Sequence, residues 1–420
     1  MIPPFSGFLE SKPLYYKEID HERVHRAYAR LRDHIAHPPA VHIVGTNGKG
    51  STGRMLAFLA WQNGMEDGKW KMENGLSQSE STNHFYPLPT THYPLSVGHY
   101  SSPHILRFNE RIWIDGENVS DEVLEEGHRR LYGILGAEMS EALSYFEYTT
   151  LLALLLFERC DLIILEAGLG GEFDATNVVE NKRLTVVTPI GIDHQAFLGD
   201  SIEAIAETKL RSITPHTQVL LAPQAYAEVE SVARRIANER GCGLTMEDGR
   251  WKMEELERAL QNKAWPEFLH ENASVALRAL EFLGISGDVE ALKDLELFGR
   301  FYPIAENVRI DVGHNPLAAR AIARAMEPET VLIYNSLDDK DYREVLSILR
   351  PKLKRVEILP IESQRAATLR EIEEALAVLE IPWDCFSGQL FSHERYLVFG
   401  SFYTVEAFLK SQDLGYNQKS

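Results

Sequence analysis

The chain has 420 residues, 44% of them hydrophobic and 25% charged, a length too great for one compact core and suited to two domains or three. Its formal net charge of -19 leaves no basic excess to neutralise phosphates. That argues against general binding of nucleic acid or an anionic membrane, but not against a nucleotide held by a few local donors. Cys160, Cys242 and Cys385 lie far apart and form no C-x-x-C pair, so neither a disulfide framework nor a thiolate metal site is indicated. The start, MIPPFSGFLESK, lacks the basic opening and apolar stretch of a signal peptide, and the longest apolar run, 151–157, is far short of a membrane span. A cytoplasmic location is expected.

In chain order, the first strong element is the strand VHIV (41–44), followed by the glycine-rich turn GTNGKG and a helix expected over 51–62. Residues 65–94 are polar and rich in Ser, Thr, Asn, Gly and Pro, and read as an inserted surface loop, since α/β connections are usually short. Within it MEDGKWKME (65–73) nearly duplicates MEDGRWKME (246–254). Each copy has an Asp-Gly turn whose flanks could form a small hairpin. Strands are then expected at LSVGHY (95–100), DLIILEA (161–167), LTVVTPI (184–190) and TQVLLA (217–222), with helices over 121–136, 144–159 and 201–211 between them. This alternation predicts a parallel sheet covered by helices on both faces, whose ligands bind at the carboxyl ends of the strands. A helical segment, 270–284, closes this part. A second alternation begins with VRIDV near 308 and continues through a helix from Pro316, TVLIY, a helix from Asp341, RVEIL, a helix from Leu369, RYLVFG and a closing helix in SFYTVEAFL.

The chemistry-bearing residues fall at the ends of the predicted strands. VHIVGTNGKGST (41–52) misses the common phosphate-loop pattern G-x-x-x-x-G-K-[ST], because Ile43 stands five before Gly48 and Gly50 separates Lys49 from Ser51. A flexible loop running into a helix start nevertheless aims backbone N–H groups at an anion. Lys49 adds a point charge, and Ser51 or Thr52 could face magnesium. In SSPHILRFNERI (101–112), Ser101, Ser102 and His104 should emerge at the same edge, with Arg107 and Arg111 able to meet an anion. Glu166, in LEAGLGGEFDATN (165–177), ends a buried strand, where a carboxylate needs a salt bridge or a metal. His194 follows another strand and Lys209 lies on the next helix. A histidine ligand would be unusual for magnesium, which prefers oxygen.

Together GTNGKGS, SSPH-x-x-RFNERI, LE-x-GLGG-x-x-DATN, IG-x-DH-x-x-x-LG and the D-x-x-HNP of DVGHNP resemble the folylpolyglutamate synthase and dihydrofolate synthase family of the Mur ligase superfamily. SLDDKD and the RYLVFGSFYTVEAF ending resemble its C-terminal part. The resemblance implies an α/β protein: an N-terminal P-loop-type ATPase domain with a mostly parallel sheet (1–284), a linker (285–299) and a smaller Rossmann-like domain (300–420). It implies a phosphate loop of Thr46, Asn47, Gly48, Lys49, Gly50 and Ser51, and nucleotide contacts from Asn272, Arg300, Asp311 and His314. Magnesium would be held by Ser102, Glu166 and His194, with Ser51 and a carbamylated Lys209 nearby, and the pterin site lined by Ser144, Phe173, Asp174 and Ala175. Lys49, His194 and Lys209 carry the implied catalysis.

The implied reaction joins L-glutamate to dihydropteroate or a reduced folate at the expense of ATP, through an acyl phosphate. A monomer without nucleic-acid or membrane partners is expected. The sequence departs from the family pattern at Glu172, where Arg is usual, at KLRSI in place of K-A-G-I, at IDHERV (19–24), two residues short of the usual pterin loop, and at DVGHN, where the neighbour of the aspartate is often alanine. Rival readings are a Mur-type enzyme acting on a peptidoglycan precursor, an inactive nucleotide-binding relative, and a plain P-loop kinase or GTPase. The separate N-terminal domain of the first is not expected here, and Gly50 disfavours the last.

Overall fold

The structure, a computed structural model, describes residues 2–13, 20–62 and 95–414. The expected insert 65–94, with the first of the two near-duplicate segments, lies outside the described residues.

Two sheets organise the described chain. The first has eight strands: β1 (Ala40–Val44), β2 (Val97–Tyr100), β3 (Ile112–Ile114), β4 (Glu117–Asn118), β5 (Leu162–Glu166), β6 (Lys182–Val187), β7 (Gln218–Leu221) and β8 (Gly243–Met246). Their order is β4-β3-β2-β5-β1-β6-β7-β8. All neighbours from β2 to β8 run parallel, and only β3 and β4 at the edge are antiparallel. Every residue of β1 and β5 is buried, as expected for central parallel strands covered on both faces.

The two-residue period of the strands divides their side chains between two cores. Val41, Ile43, Leu162 and Ile164 face a core shared with the helices Lys49–Gln62 and Glu267–Phe282. Ala40, Ile163 and Leu165 face the other, under the helices Glu22–Leu31, Asp121–Leu135 and Tyr145–Leu156. The last two begin at serine caps: Ser120 accepts from the Val123 amide, and Ser144 with Glu147 forms a reciprocal capping box.

The second sheet contains β9 (Tyr302–Ala305), β10 (Val308–Ile310), β11 (Thr330–Tyr334), β12 (Leu353–Ile358), β13 (Trp383–Cys385) and β14 (Arg395–Phe399), ordered β13-β12-β11-β14-β10-β9. It is parallel apart from β9. The same alternation recurs: Leu332, Tyr334 and Phe399 enter one core, Val331, Ile333 and Val398 the other. Asn315 caps the helix Pro316–Ala325 by accepting from the Ala318 amide, with proline at its first position.

Two expectations need correction. The helix after the phosphate loop begins at Lys49, not Ser51; the Thr52 amide already donates to the Gly48 carbonyl at 2.9 Å, so Gly50 belongs to the first helical turn. The second near-duplicate segment is not a hairpin. Met246 ends β8, Gly249 turns the chain with φ +77°, and Met253 opens the helix Met253–Ala259. No element is expected from the sequence directly after RFNERI, and there β3 and β4 form a hairpin over Asp115 and Gly116, both at positive φ.

The stretch between the sheets is packed. Ile285, Val289, Leu292, Leu295 and Leu297 all enter the core beneath the helix Glu267–Phe282, and Val289–Asp294 forms a 3-10 turn capped by Asp288. Leu292→Ala should therefore lower unfolding free energy by about 2–5 kcal/mol, as for a buried core leucine. Chemical denaturation measures it, and an unchanged midpoint would mean that this stretch is not part of the core.

Candidate active site

The carboxyl ends of β1, β2, β5 and β6 converge on one region. The turn after β1 carries Gly45 at φ +147° and Gly48 at φ +82°, and side chains are excluded there. A Cβ on Gly45 would lie 2.1 Å from Thr188 Oγ1, and one on Gly48 2.9 Å from Asn272 Oδ1. Thr46 exchanges hydrogen bonds with Gly191, donating to its carbonyl at 3.1 Å and accepting from its amide at 3.0 Å. Ser51 Oγ donates to the Gly48 carbonyl and accepts from Asn272 Nδ2 at 2.9 Å. Asn272 therefore reaches the phosphate loop from the helix Glu267–Phe282.

Lys49 and Glu166 meet above this turn. Lys49 Nζ donates to the carbonyls of Gly45 and Thr46 and lies 3.9 Å from Glu166 Oε1. Glu166 is 4% exposed. Burial pushes its carboxyl upward, opposed by Lys49, by Arg300 and by the Ser102 amide, which donates to Oε2 at 3.2 Å. A Cβ on Gly50 would sit 3.2 Å from Arg300 Nη2 and 3.4 Å from Glu166 Oε2. The glycine that spoils the common phosphate-loop pattern leaves room for the carboxylate that ends β5 and for a guanidinium from the chain entering the second sheet.

A second group of charges gathers after β6. Lys209 is buried and donates to the Gly45 carbonyl at 3.0 Å; burial, then the charge of Lys49, lowers its amine to about 7. His194 adopts the left-handed conformation, φ 53°, and burial lowers its ring to about 4, against the pull of Asp193. Burial alone would raise the Asp193 carboxyl, but His314, Lys340 and His194 hold it far below the usual range. Lys340 Nζ lies 2.6 Å from Asp193 Oδ1, and Asn315 Nδ2 donates to Oδ2 at 3.1 Å. Asn315 and Asn47 also exchange amide hydrogen bonds at 2.9 and 3.0 Å. Asp311 is buried on the second sheet's side; burial raises its carboxyl, Arg300 opposes, and it accepts from the amides of Phe301 and Gly313.

The structure thus brings together Thr46, Asn47, Gly48, Lys49, Gly50, Ser51, Ser102, Glu166, Asn272 and Arg300 around the turn, with His194, Lys209 and His314 in the adjoining charge cluster. The four pterin candidates behave differently. Ser144 is occupied by its capping box. Asp174 is buried and accepts from Leu169 N, Thr176 N and Thr176 Oγ1, and Ala175 lies in the core. Phe173 alone of the four is exposed, at 57%, with the His21 ring tilted against it at a centroid distance of 4.1 Å. Nor do Arg107 and Arg111 gather at the phosphate turn: Arg107 pairs with Asp121 and Arg111 donates to His104. Asp193, Asn315 and Lys340 were given no role by sequence reasoning, although each sits inside a quoted motif. Their signal was the presence of charged and amide residues in short segments following strands.

Gly171 fixes how the 168–177 segment meets the helix Ile202–Leu210. A Cβ there would lie 2.3 Å from the Lys209 carbonyl oxygen and 2.9 Å from its Cα. Gly171→Ala must push backbone aside, at a cost of about 1–3 kcal/mol for overpacking. A thermal melt checks this, and an unaltered melting temperature would show that the segment does not bear on the helix.

No protein-family model matches the chain. It is 30% identical over 427 residues to the dihydrofolate synthase/folylpolyglutamate synthase of Escherichia coli (strain K12), spanning 95% of this chain and 92% of that protein. The crystal structure of Helicobacter pylori folylpolyglutamate synthetase superposes with a TM-score of 0.71 at 35% identity, over 97% of each chain. That of the bifunctional folylpolyglutamate synthase/dihydrofolate synthase of Yersinia pestis, complexed with AMPPNP and a manganese ion, gives 0.76 at 26% identity over 98% of each. By sequence and fold over nearly its whole length, the chain belongs to the dihydrofolate synthase/folylpolyglutamate synthase family.

Proposed function

We propose that this protein is an ATP-dependent ligase of folate metabolism that joins the amine of L-glutamate to the carboxylate of dihydropteroate, a reduced folate, or both. The observation that carries this reading is the joint enclosure of Gly50 by Glu166 and Arg300 beside Lys49, within the glycine turn after β1. The substrate carboxylate attacks the γ-phosphorus of ATP, the bond to ADP breaks, and the glutamate amine then displaces phosphate from the acyl phosphate. Lys49 and the turn's amides hold the transferring group while its charge develops. Asn272, Arg300, Asp311 and His314 take the nucleotide between the two sheets, and closure of that cleft completes the site. The chain divides for this purpose into 1–284, a packed connection 285–299, and 300–420, and works as a cytoplasmic monomer.

The side chains suit a divalent cation. The buried Glu166 carboxylate and the hydroxyl-bearing Ser102 and Ser51 offer oxygen ligands, and the His194 ring, lowered to about 4, is neutral at physiological pH and carries a nitrogen lone pair that it can offer to an ion. Magnesium is the proposed ion, and when bound it neutralises charge on the phosphates. Phe173 and His21 present exposed rings on which a pterin could stack, whereas Ser144, Asp174 and Ala175 shape that wall from beneath.

Purified protein with ATP, magnesium and glutamate should release phosphate and yield a glutamylated product when given dihydropteroate or a reduced folate. No glutamate-dependent turnover on either pterin would refute the reading. Lys49→Ala should reduce kcat by at least about a thousandfold while leaving the fold intact, in line with loss of a charge that stabilises a phosphoryl-transfer transition state; near-normal kcat would remove Lys49 from the phosphate site.

Lys209 is suited to carbamylation because its amine, lowered to about 7, is largely neutral above that pH and can attack carbon dioxide, releasing a proton. With 13C-bicarbonate, a carbamate resonance should rise as pH increases through this value and vanish in Lys209→Ala. Its absence at pH above about 8, well past the lowered pKa, would count against the modification.

A further inference from the structure

Asp193 sits where residues from the surroundings of both sheets meet. It lies after β6, its side chain only 7% exposed, and takes Lys340 Nζ, 4% exposed, at 2.6 Å. Asn315 and His314, both from the segment after β10, add contacts at 3.1 and 3.5 Å. A simple interdomain ion pair would need no more. Lys340 Nζ, however, also lies 3.2 Å from His194 Nε2. One ligand atom each from Asp193, His194 and His314 falls within 4.8 Å of the others, so the ammonium stands among atoms of the kind that hold a cation.

The charged ammonium must donate, so His194 Nε2 accepts through its single lone pair. That lone pair cannot serve a hydrogen bond and a metal ion together. We infer that Lys340 is a positioning residue: by holding His194 Nε2 in the closed arrangement it competes with a divalent cation for that nitrogen, so metal loading at His194 exchanges for this contact. Asp193 keeps Lys340 tethered during the exchange, leaving the cleft latched while the histidine turns to the ion. This inference rests on the proposed role of His194 as a cation ligand.

The test is a manganese titration of the nucleotide-free protein, followed by electron paramagnetic resonance, in a double-mutant cycle of Lys340→Met and His194→Gln. Removing one positive charge strengthens cation binding in either background. Competition for the lone pair strengthens it only where His194 is present. Lys340→Met should tighten binding about tenfold in the unmodified background, the scale of one charged hydrogen bond, and less than about twofold when His194 is Gln. Equal changes in both backgrounds, or none, overturn the inference.

If His194→Gln alone leaves manganese affinity unaltered, the ligand role itself fails, and the exchange with it. Lys340→Gln serves where the methionine variant does not fold. In the unmutated protein, the ring-nitrogen NMR signal of His194 should move on adding magnesium, and an unmoved signal contradicts the exchange.

Discussion

A carboxylate cannot be carried to the buried end of a central strand without nearby positive charge, and Glu166 sets that demand for the whole molecule. β5 delivers it to the carboxyl edge of the first sheet, where burial raises its carboxyl and Lys49 and Arg300 oppose that rise. Lys49 opens the helix that leaves the turn after β1, and β1 lies immediately beside β5 in the sheet. Arg300 belongs to the chain entering the second sheet. Balancing one buried charge therefore requires both halves, and the missing side chain at Gly50 lets the guanidinium approach.

Asp193 answers to the opposite condition. It too is buried, yet the cations around it outweigh desolvation and keep it charged. Both centres draw partners across the cleft, Arg300 at one and Lys340, His314 and Asn315 at the other. Asn47 links them, since it sits in the phosphate turn and pairs with Asn315. Lys209 lies within electrostatic reach of Lys49 and Asp193 alike. Its lowered amine follows from burial near another ammonium, which disfavours a second positive charge. The electrostatics of the turn and of the cleft are thus one problem, solved only when the halves are together.

Much of this was legible in the sequence because apolar periodicity and strand-end chemistry are local signals. VHIV, DLIILEA and LTVVTPI became β1, β5 and β6 with small shifts at their ends, and Lys49, Glu166 and Lys209 lie where strand ends and the next helix place them. The β3–β4 hairpin was missed because IWI is too short to show a period, although the Asp115-Gly116 pair signals a turn. Ser144 and Asp174, placed at the pterin site by the family resemblance, also accept from neighbouring amides, as polar residues near helix starts often do. Lys340 and Asp193 are 147 positions apart. No spacing rule relates residues whose contact exists only because two sheets face each other.

The departures from the family pattern follow the same division between backbone and side chain. Glu172 replaces the usual arginine, yet its amide donates to the Thr208 carbonyl and its carbonyl accepts from Asn177, so main chain fixes the segment whatever the side chain. Gly171, pressed against the Lys209 backbone, has no such freedom. In KLRSI, Arg211 turns to Glu207, which also takes Arg235 on the outer surface, while Lys209 still reaches the Gly45 carbonyl. Sequence can drift where a side chain faces solvent or pairs along its own helix. It is held where a backbone packs on a backbone, and at those positions the charges of the cleft receive their geometry.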